Sequence, residues 1–391
     1  MKVSWKLGVS ITYDEANVVL DPHGNEVNVA FITHAHSDHA EAFRLSHLPK
    51  FSSEETRDLI STYGYNIGNW RPLKEDVGVK VGHVEVVPHN SGHVLGSYEF
   101  EVVTPDCTLL YTGDFNTRNT LTMKPAEVVP CDILVLDSTF GSPSFVFPPQ
   151  SDVADEMIKW AKETIRHGKI PTFQTDPLGN AQEIIRIFNE FSDFPVLTHW
   201  RVSKMSEVYN HHGYRLDFTD SRTKEGEELF TGGEAVFITP KGLDLSAHPE
   251  IETALVSGWA LWAKRKAFAL SDHADFPNLL KFVEECNPKL VLTCHGGRFN
   301  TVLADKISKE LKIQAYRIDL ITTIFEKRKN EARLMACERE ILKFAKVPGF
   351  SYSKRTILNH LKTLGFSRSE INLALRRLEE KGFLEARSQN R

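Results

Sequence analysis

Three histidines and an aspartate fall within six residues at His34-Ala35-His36-Ser37-Asp38-His39, directly after the apolar run at residues 29–33. Side chains at i and i+2 leaving a strand point the same way, so His34 and His36 can share one metal ion. Asp38 and His39, a turn further on, can reach a second. Imidazole and carboxylate donors suit Zn²⁺, with Mn²⁺ as the alternative. The competing reading is a solvated polar loop, and two later segments weigh against it. Gly92-His93-Val94-Leu95-Gly96 sets His93 between glycines, and Tyr111-Thr112-Gly113-Asp114 sets Asp114 just after a strand, where its carboxylate can bridge two ions. Taken singly, the first reads as a packing histidine and the second as a turn. In this order after His-x-His-x-Asp-His they complete a ligand set. His23, His47, His83, His89, His211 and His212 lack such neighbours and read as surface or packing residues.

The elements that must position these side chains follow from patterning. The first third predicts short strands: residues 29–33, a hairpin of 79–81 and 84–87 around Gly82-His83, then 98–103, 109–112 and 133–136. From Ser151, read as a helix N-cap, the rhythm becomes alternating strand and helix, which predicts a parallel sheet covered on both faces. Residues 226–233 read as a glycine-rich surface loop. Beyond residue 331 the chain is helical. Ile357, Leu361 and Leu364, and then Ile371, Leu375 and Leu378, fall at helical spacing on either side of Gly365, and Gly382-Phe383-Leu384 would leave the last helix as a wing. A winged helix and a helical dimerisation tail both fit.

With 391 residues, 41% of them hydrophobic and 25% charged, the chain is globular and long enough for two to three domains. The net charge of −5 is uneven: residues 332–391 carry 13 basic and 6 acidic side chains, a net of +7, leaving −12 on the rest. A basic module on an acidic body points to a separate task. Five cysteines without a Cys-x-x-Cys argue for a reducing, cytoplasmic setting, and no apolar run reaches signal-peptide or membrane-span length. An acidic body that held nucleic acid would need a local positive path. Lys264-Arg265-Lys266 is the best candidate, with Arg201 and Lys204.

The ordered set His34, His36, Asp38, His39, His93 and Asp114 resembles the metallo-β-lactamase fold family, in which an earlier strand-end aspartate buttresses the histidines; Asp21 in Val18-Val19-Leu20-Asp21-Pro22 matches it. Asp137-Ser138-Thr139-Phe140-Gly141, Leu270-Ser271-Asp272-His273-Ala274-Asp275 and Thr293-Cys294-His295-Gly296-Gly297 resemble motifs A, B and C of its β-CASP nucleases. Within that group the chain looks most like the DNA-ligase-associated exonucleases and the archaeal mRNA 3′-end-processing-factor-like proteins. Asp137 stands where many members have glutamate, and His295 occurs in both RNA- and DNA-acting branches, so both substrates stay open.

The resemblance implies an α/β protein: an αββα sandwich from residues 1–147 and 263–325, an inserted β-CASP domain at 148–262, and a helical, winged-helix-like tail at 332–391. It implies two divalent ions, zinc before manganese, with His34, His36 and His93 on one, Asp38, His39 and His295 on the other, and Asp114 between. Asp38 counts among the catalytic residues with His273, the acid for the leaving oxygen, and Asp137, which orients it. Ser271 would hold a phosphate oxygen. The expected activity is hydrolysis of DNA or RNA, as an exonuclease on single strands or ends; the alternatives are an RNA 3′-end-processing ribonuclease and a small-molecule hydrolase. Nucleic acid is the expected partner, with a homodimer through the tail as a further expectation and no membrane contact.

Overall fold

Alternation along the first strands decides which side chains face which layer. In the computed structural model, which describes residues 1–5, 7–24, 27–320, 323–324, 331–345 and 354–380, Val18, Leu20 and Phe31 point into one core while Val19, Ala30 and Ile32 point into another. The same split runs through Thr108–Tyr111 and Ile133–Asp137: Leu109, Tyr111, Ile133 and Val135 face inward, and Leu110, Leu134 and Leu136 face outward. Strands apolar on both faces must be covered on both faces.

Two seven-stranded sheets result. The first runs Thr323–Ile324, Lys2–Trp5, Val9–Tyr13, Ala16–Leu20, Ala30–Phe31, Lys50–Ser52, Trp70–Pro72. The second runs Gln314–Arg317, Leu290–Cys294, Ile133–Asp137, Thr108–Tyr111, Tyr98–Val103, Val84–Asn90, Val79–Val81. They share one buried core, and the helices Phe276–Cys286 and Phe299–Glu310 supply residues to the core on the second sheet's outer face, with Glu54–Ser61 on the first. The expected hairpin at Gly82-His83 is present, with Val81 opposite Val84.

A third, six-stranded sheet lies in sequence between Ile133–Asp137 and Phe276–Cys286. All its pairings are parallel, as crossover helices require. Its last strand, Ala267–Phe268, lies past residue 262. Two local expectations are corrected here. The helix Gln150–Arg166 starts one residue before Ser151 with Pro149 at the cap, and the Ser151 hydroxyl bonds Asp152 instead. Residues 226–233 are not a loop: Lys224–Gly232 is a helix, because Thr223 caps it by accepting from the Gly226 N–H and Gly233 ends it in the left-handed region.

Three helices, Glu331–Ala345, Lys354–Thr363 and Arg368–Glu380, close a small core of their own around Leu334, Ile341, Leu361, Ile371, Leu375 and Leu378. Ser367 and Glu370 cap the third reciprocally. Arg368 bonds the buried Glu101 of the second sheet at 2.8 Å, which fixes this unit to the sandwich. The expected wing at Gly382-Phe383-Leu384 lies outside the described residues. Among the described residues no helix is long and apolar enough to cross a membrane, and all five cysteines are buried.

Candidate metal centre

The ends of neighbouring strands bring the chemistry together. Asp21 follows Ala16–Leu20, His34 follows Ala30–Phe31, Asp114 follows Thr108–Tyr111, Asp137 ends Ile133–Asp137, and His295 follows Leu290–Cys294. Gly113 lets two of these turns meet: a Cβ there would sit 2.7 Å from the Thr33 methyl. Asp21 and His295 hold positive φ angles of 45° and 61°, a region that aspartate and histidine enter more readily than most side-chain-bearing residues.

Hydrogen bonds assign the ring tautomers. The His93 Nδ1–H donates to the Asp272 carbonyl at 2.8 Å, the His34 Nδ1–H to the Thr33 hydroxyl at 2.9 Å, and the His36 Nε2–H to the Leu178 carbonyl at 3.4 Å. The remaining nitrogens, His34 Nε2, His36 Nδ1 and His93 Nε2, are therefore bare, yet both Nε2 atoms stand 3.0 Å from His36 Nδ1. Lone pairs facing one another at that distance repel unless a cation lies between them. Asp114 completes the group, 3.6 Å from His34 and 3.8 Å from His93. Burial holds His34 well below the ordinary imidazole range and brings His93 down to about 4. Neutral imidazole is the form a metal takes. The donor set thus fits a divalent ion of the zinc type.

His39, Asp114 and His295 form a second group of potential ligands. His39 Nε2 lies 3.4 Å from the other Asp114 oxygen, so this carboxylate faces both groups. Burial alone would lower His39, but Asp114 and Asp21 hold it well above the ordinary range. Burial would likewise raise Asp114, and the cationic His39 and His273 hold it well below the usual carboxylate range. Asp38 stands at the rim, with its side chain 76% exposed and 3.9 Å from His39 Nε2.

Asp21 is the hub behind these rings. It accepts from the Thr33 N–H and hydroxyl, His39 Nδ1 and the Tyr111 hydroxyl, all at 2.7–3.0 Å. Thr33 passes the constraint to His34, and Tyr111 passes it to His295 at 2.9 Å. Thr33 and Tyr111 escape sequence reading, although both flank motif residues. Asp21→Asn should lower metal affinity by roughly 10- to 100-fold, the usual cost of a lost outer partner. A chelator-competition titration reads this, and unchanged affinity would reduce Asp21 to a packing residue.

Beside the cluster stands a dyad. His273 Nδ1 lies 3.0 Å from Asp137 Oδ2, while Asp137 Oδ1 is held by the Thr139 N–H and hydroxyl. Burial lowers His273, but Asp114 and Asp137 outweigh it and raise the ring to about 10. Ser271 accepts from the His273 N–H at 3.1 Å and bonds the His273 carbonyl, so here it shapes the loop. Asp275 caps Phe276–Cys286 and holds Arg118, which anchors the same loop. Lys264, Arg265 and Lys266 are exposed: Arg265 bonds Gln174, and the Lys266 ammonium lies over Phe268. His89 is more than a packing histidine, being buried between Asp76 and Glu101, and His212 pairs with Asp58.

No family profile matches the chain. A protein described as a probable DNA ligase from Opitutus terrae is 30% identical over 308 residues, which is 74% of this chain and 28% of that one. An RNase J-like protein from Methanocaldococcus jannaschii is 27% identical over 47% of this chain and 50% of its own length. RNase aCSPSF2 from Saccharolobus solfataricus is 22% identical over 77% of this chain and 75% of its own. The chain therefore spans between about a quarter and three quarters of these relatives. A solved protein of unknown function from Enterococcus faecalis superposes with a TM-score of 0.57 at 13% identity, over 81% of this chain and 97% of that one, a likeness of fold alone. With two clusters of potential ligands sharing Asp114 at one edge of a two-sheet sandwich, and with these relatives, the chain is similar to the β-CASP nucleases of the metallo-β-lactamase fold.

Proposed function

We propose that the chain is a metal-dependent phosphodiesterase of nucleic acids, cutting DNA or RNA as an exonuclease on single strands or ends. The observation that carries this is the convergence of three bare imidazole nitrogens on Asp114, with the His273–Asp137 dyad beside it. His34, His36, His93 and Asp114 would hold one ion, and His39, His295, Asp38 and Asp114 the other, zinc before manganese. When bound, such ions supply charge for phosphate oxygens and a water acidic enough to attack near neutral pH. The chain's own residues do the rest. His273 carries a proton toward the leaving oxygen, and Asp137 fixes its ring and favours its charged form. Asp21, through Thr33 and Tyr111, keeps the ligand rings in their tautomers.

Residues 1–147 and 263–325 would form the sandwich, apart from the strand Ala267–Phe268, which pairs with the third sheet, and 148–262 would form most of the inserted domain that roofs the site. Leu178 bonds His36, and Asn180 approaches Asp272 at 3.4 Å. An RNA 3′-end-processing ribonuclease is the second reading, favoured by the relatives named as RNases. End-labelled single- and double-stranded DNA and RNA, incubated with and without Zn²⁺ or Mn²⁺, separate the two by which ladder appears. No metal-dependent ladder on any of the four would overturn both.

The tail would act as a nucleic-acid arm of winged-helix type. Leu361, Leu375 and Leu378, which a dimer would need, are buried in its own core. Truncation would strip Arg368 from buried Glu101, so a point change is the cleaner test. Arg376 is exposed on Arg368–Glu380. Arg376→Gln should weaken binding to long nucleic acid and reduce the slope of log affinity against log salt by about 1. An unchanged slope would leave the tail without a phosphate contact there.

A further inference from the structure

Two tryptophans stand half-exposed beside the dyad, outside the machinery just described. Ser257 accepts from the Trp259 N–H and starts the short turn Gly258–Trp262. The turn lies against Phe140 because residue 258 is glycine: a Cβ there would come within 2.4 Å of the Phe140 ring. Below it Phe140, Phe145, Phe147 and Phe299 form a separate buried cluster. Above it Trp259 and Trp262 remain 40% and 44% exposed, with ring centroids 5.8 Å apart. Phe140 touches both worlds, 5.1 Å from Trp259 and 5.8 Å from His273. Trp259 is thus one aromatic ring removed from the proton donor. The Arg298 guanidinium lies over Trp262 at 5.7 Å and over Phe299 at 4.9 Å, and Lys264 follows the turn exposed in solvent.

Large aromatic rings held rigid from beneath, open above and flanked by cations match what an unpaired nucleotide presents, a π-face and a phosphate. A paired duplex hides those faces in its stack. Trp259 and Trp262 pack downward against Phe145 and Phe299, and each still keeps 40% or more of its surface exposed. Resting on the nuclease reading, we propose that Trp259 and Trp262 form a base-stacking platform that holds unpaired nucleobases of a single strand next to His273, with Arg298 meeting the adjoining phosphate. The platform selects frayed or single-stranded ends and tolerates any base, because every base has a π-face.

The test uses the full chain with a labelled oligothymidine and the same strand carrying abasic sites. Binding is read by anisotropy in chelator, and cleavage is read with metal. The unchanged protein should bind the abasic strand roughly 10- to 100-fold more weakly, and only the base-bearing strand should quench tryptophan fluorescence. Trp259→Ala should lose most of its affinity for the base-bearing strand and little for the abasic one, and Trp259→Phe should recover part of the loss. Equal affinity of the unchanged protein for both strands, with cleavage intact, overturns the platform and leaves the nuclease reading standing; the exposed rings would then belong to a protein contact. Absence of cleavage of any strand overturns the nuclease reading itself.

Discussion

His273→Ala should lower kcat by roughly 10²- to 10⁴-fold, the range for a lost general acid, while the bound metal stays in place. The ring is held by Asp137 at Nδ1, and its Nε2 lies 3.9 Å from Asp114. It is 16% exposed, open enough to meet a substrate oxygen. It is not needed to complete the groups His34–His36–His93–Asp114 or His39–Asp114–His295. Two carboxylates raise it to about 10, and cations bound at Asp114 would oppose that rise, so the ring can both carry and release a proton. Asp137→Asn should act in the same direction and less severely, since the ring remains but loses its charged partner. Single-turnover rates and metal content, measured together, check both variants. Loss of metal in His273→Ala would make His273 a ligand instead.

The second large effect belongs to the pair Asp38→Ala with His39→Ala, which should halve the bound metal and take cleavage to background. His39 is the ring that faces the outer Asp114 oxygen, and Asp38 stands over it at the rim. The fold should survive, because Asp21 still accepts from the Thr33 N–H, the Thr33 hydroxyl and Tyr111. Metal analysis with a thermal melt reads this, and full nuclease activity in the double variant would dismiss the assignment.

Much of this centre is legible in the sequence because its ligand types are rare and strictly spaced. His34 and His36 leave one strand together, while Asp114 follows and Asp137 ends two adjacent parallel strands. What spacing cannot give is who holds each ring. Tyr111 and Thr33 look like ordinary strand residues until Asp21 is seen to accept from both. The Leu178 and Asp272 carbonyls that set two tautomers come from the inserted segment and from motif B. The glycines near 226–233 misled for a local reason. Gly226 is buried against the Asp220 carbonyl, where a Cβ would come within 2.2 Å, so it marks a tight helix start. Lys264, Arg265 and Lys266 are conspicuous by charge, whereas the aromatic turn just before them reaches His273 through Phe140, a contact that no spacing in the sequence signals.

Anomalous diffraction from crystals grown with zinc tests the central claim most directly, because it locates ions without reference to any substrate. Two peaks are expected, one enclosed by His34, His36 and His93, the other by His39, His295 and an inward-turned Asp38, with Asp114 touching both. A fully active protein showing a single peak, or peaks elsewhere, would contradict the two-metal centre.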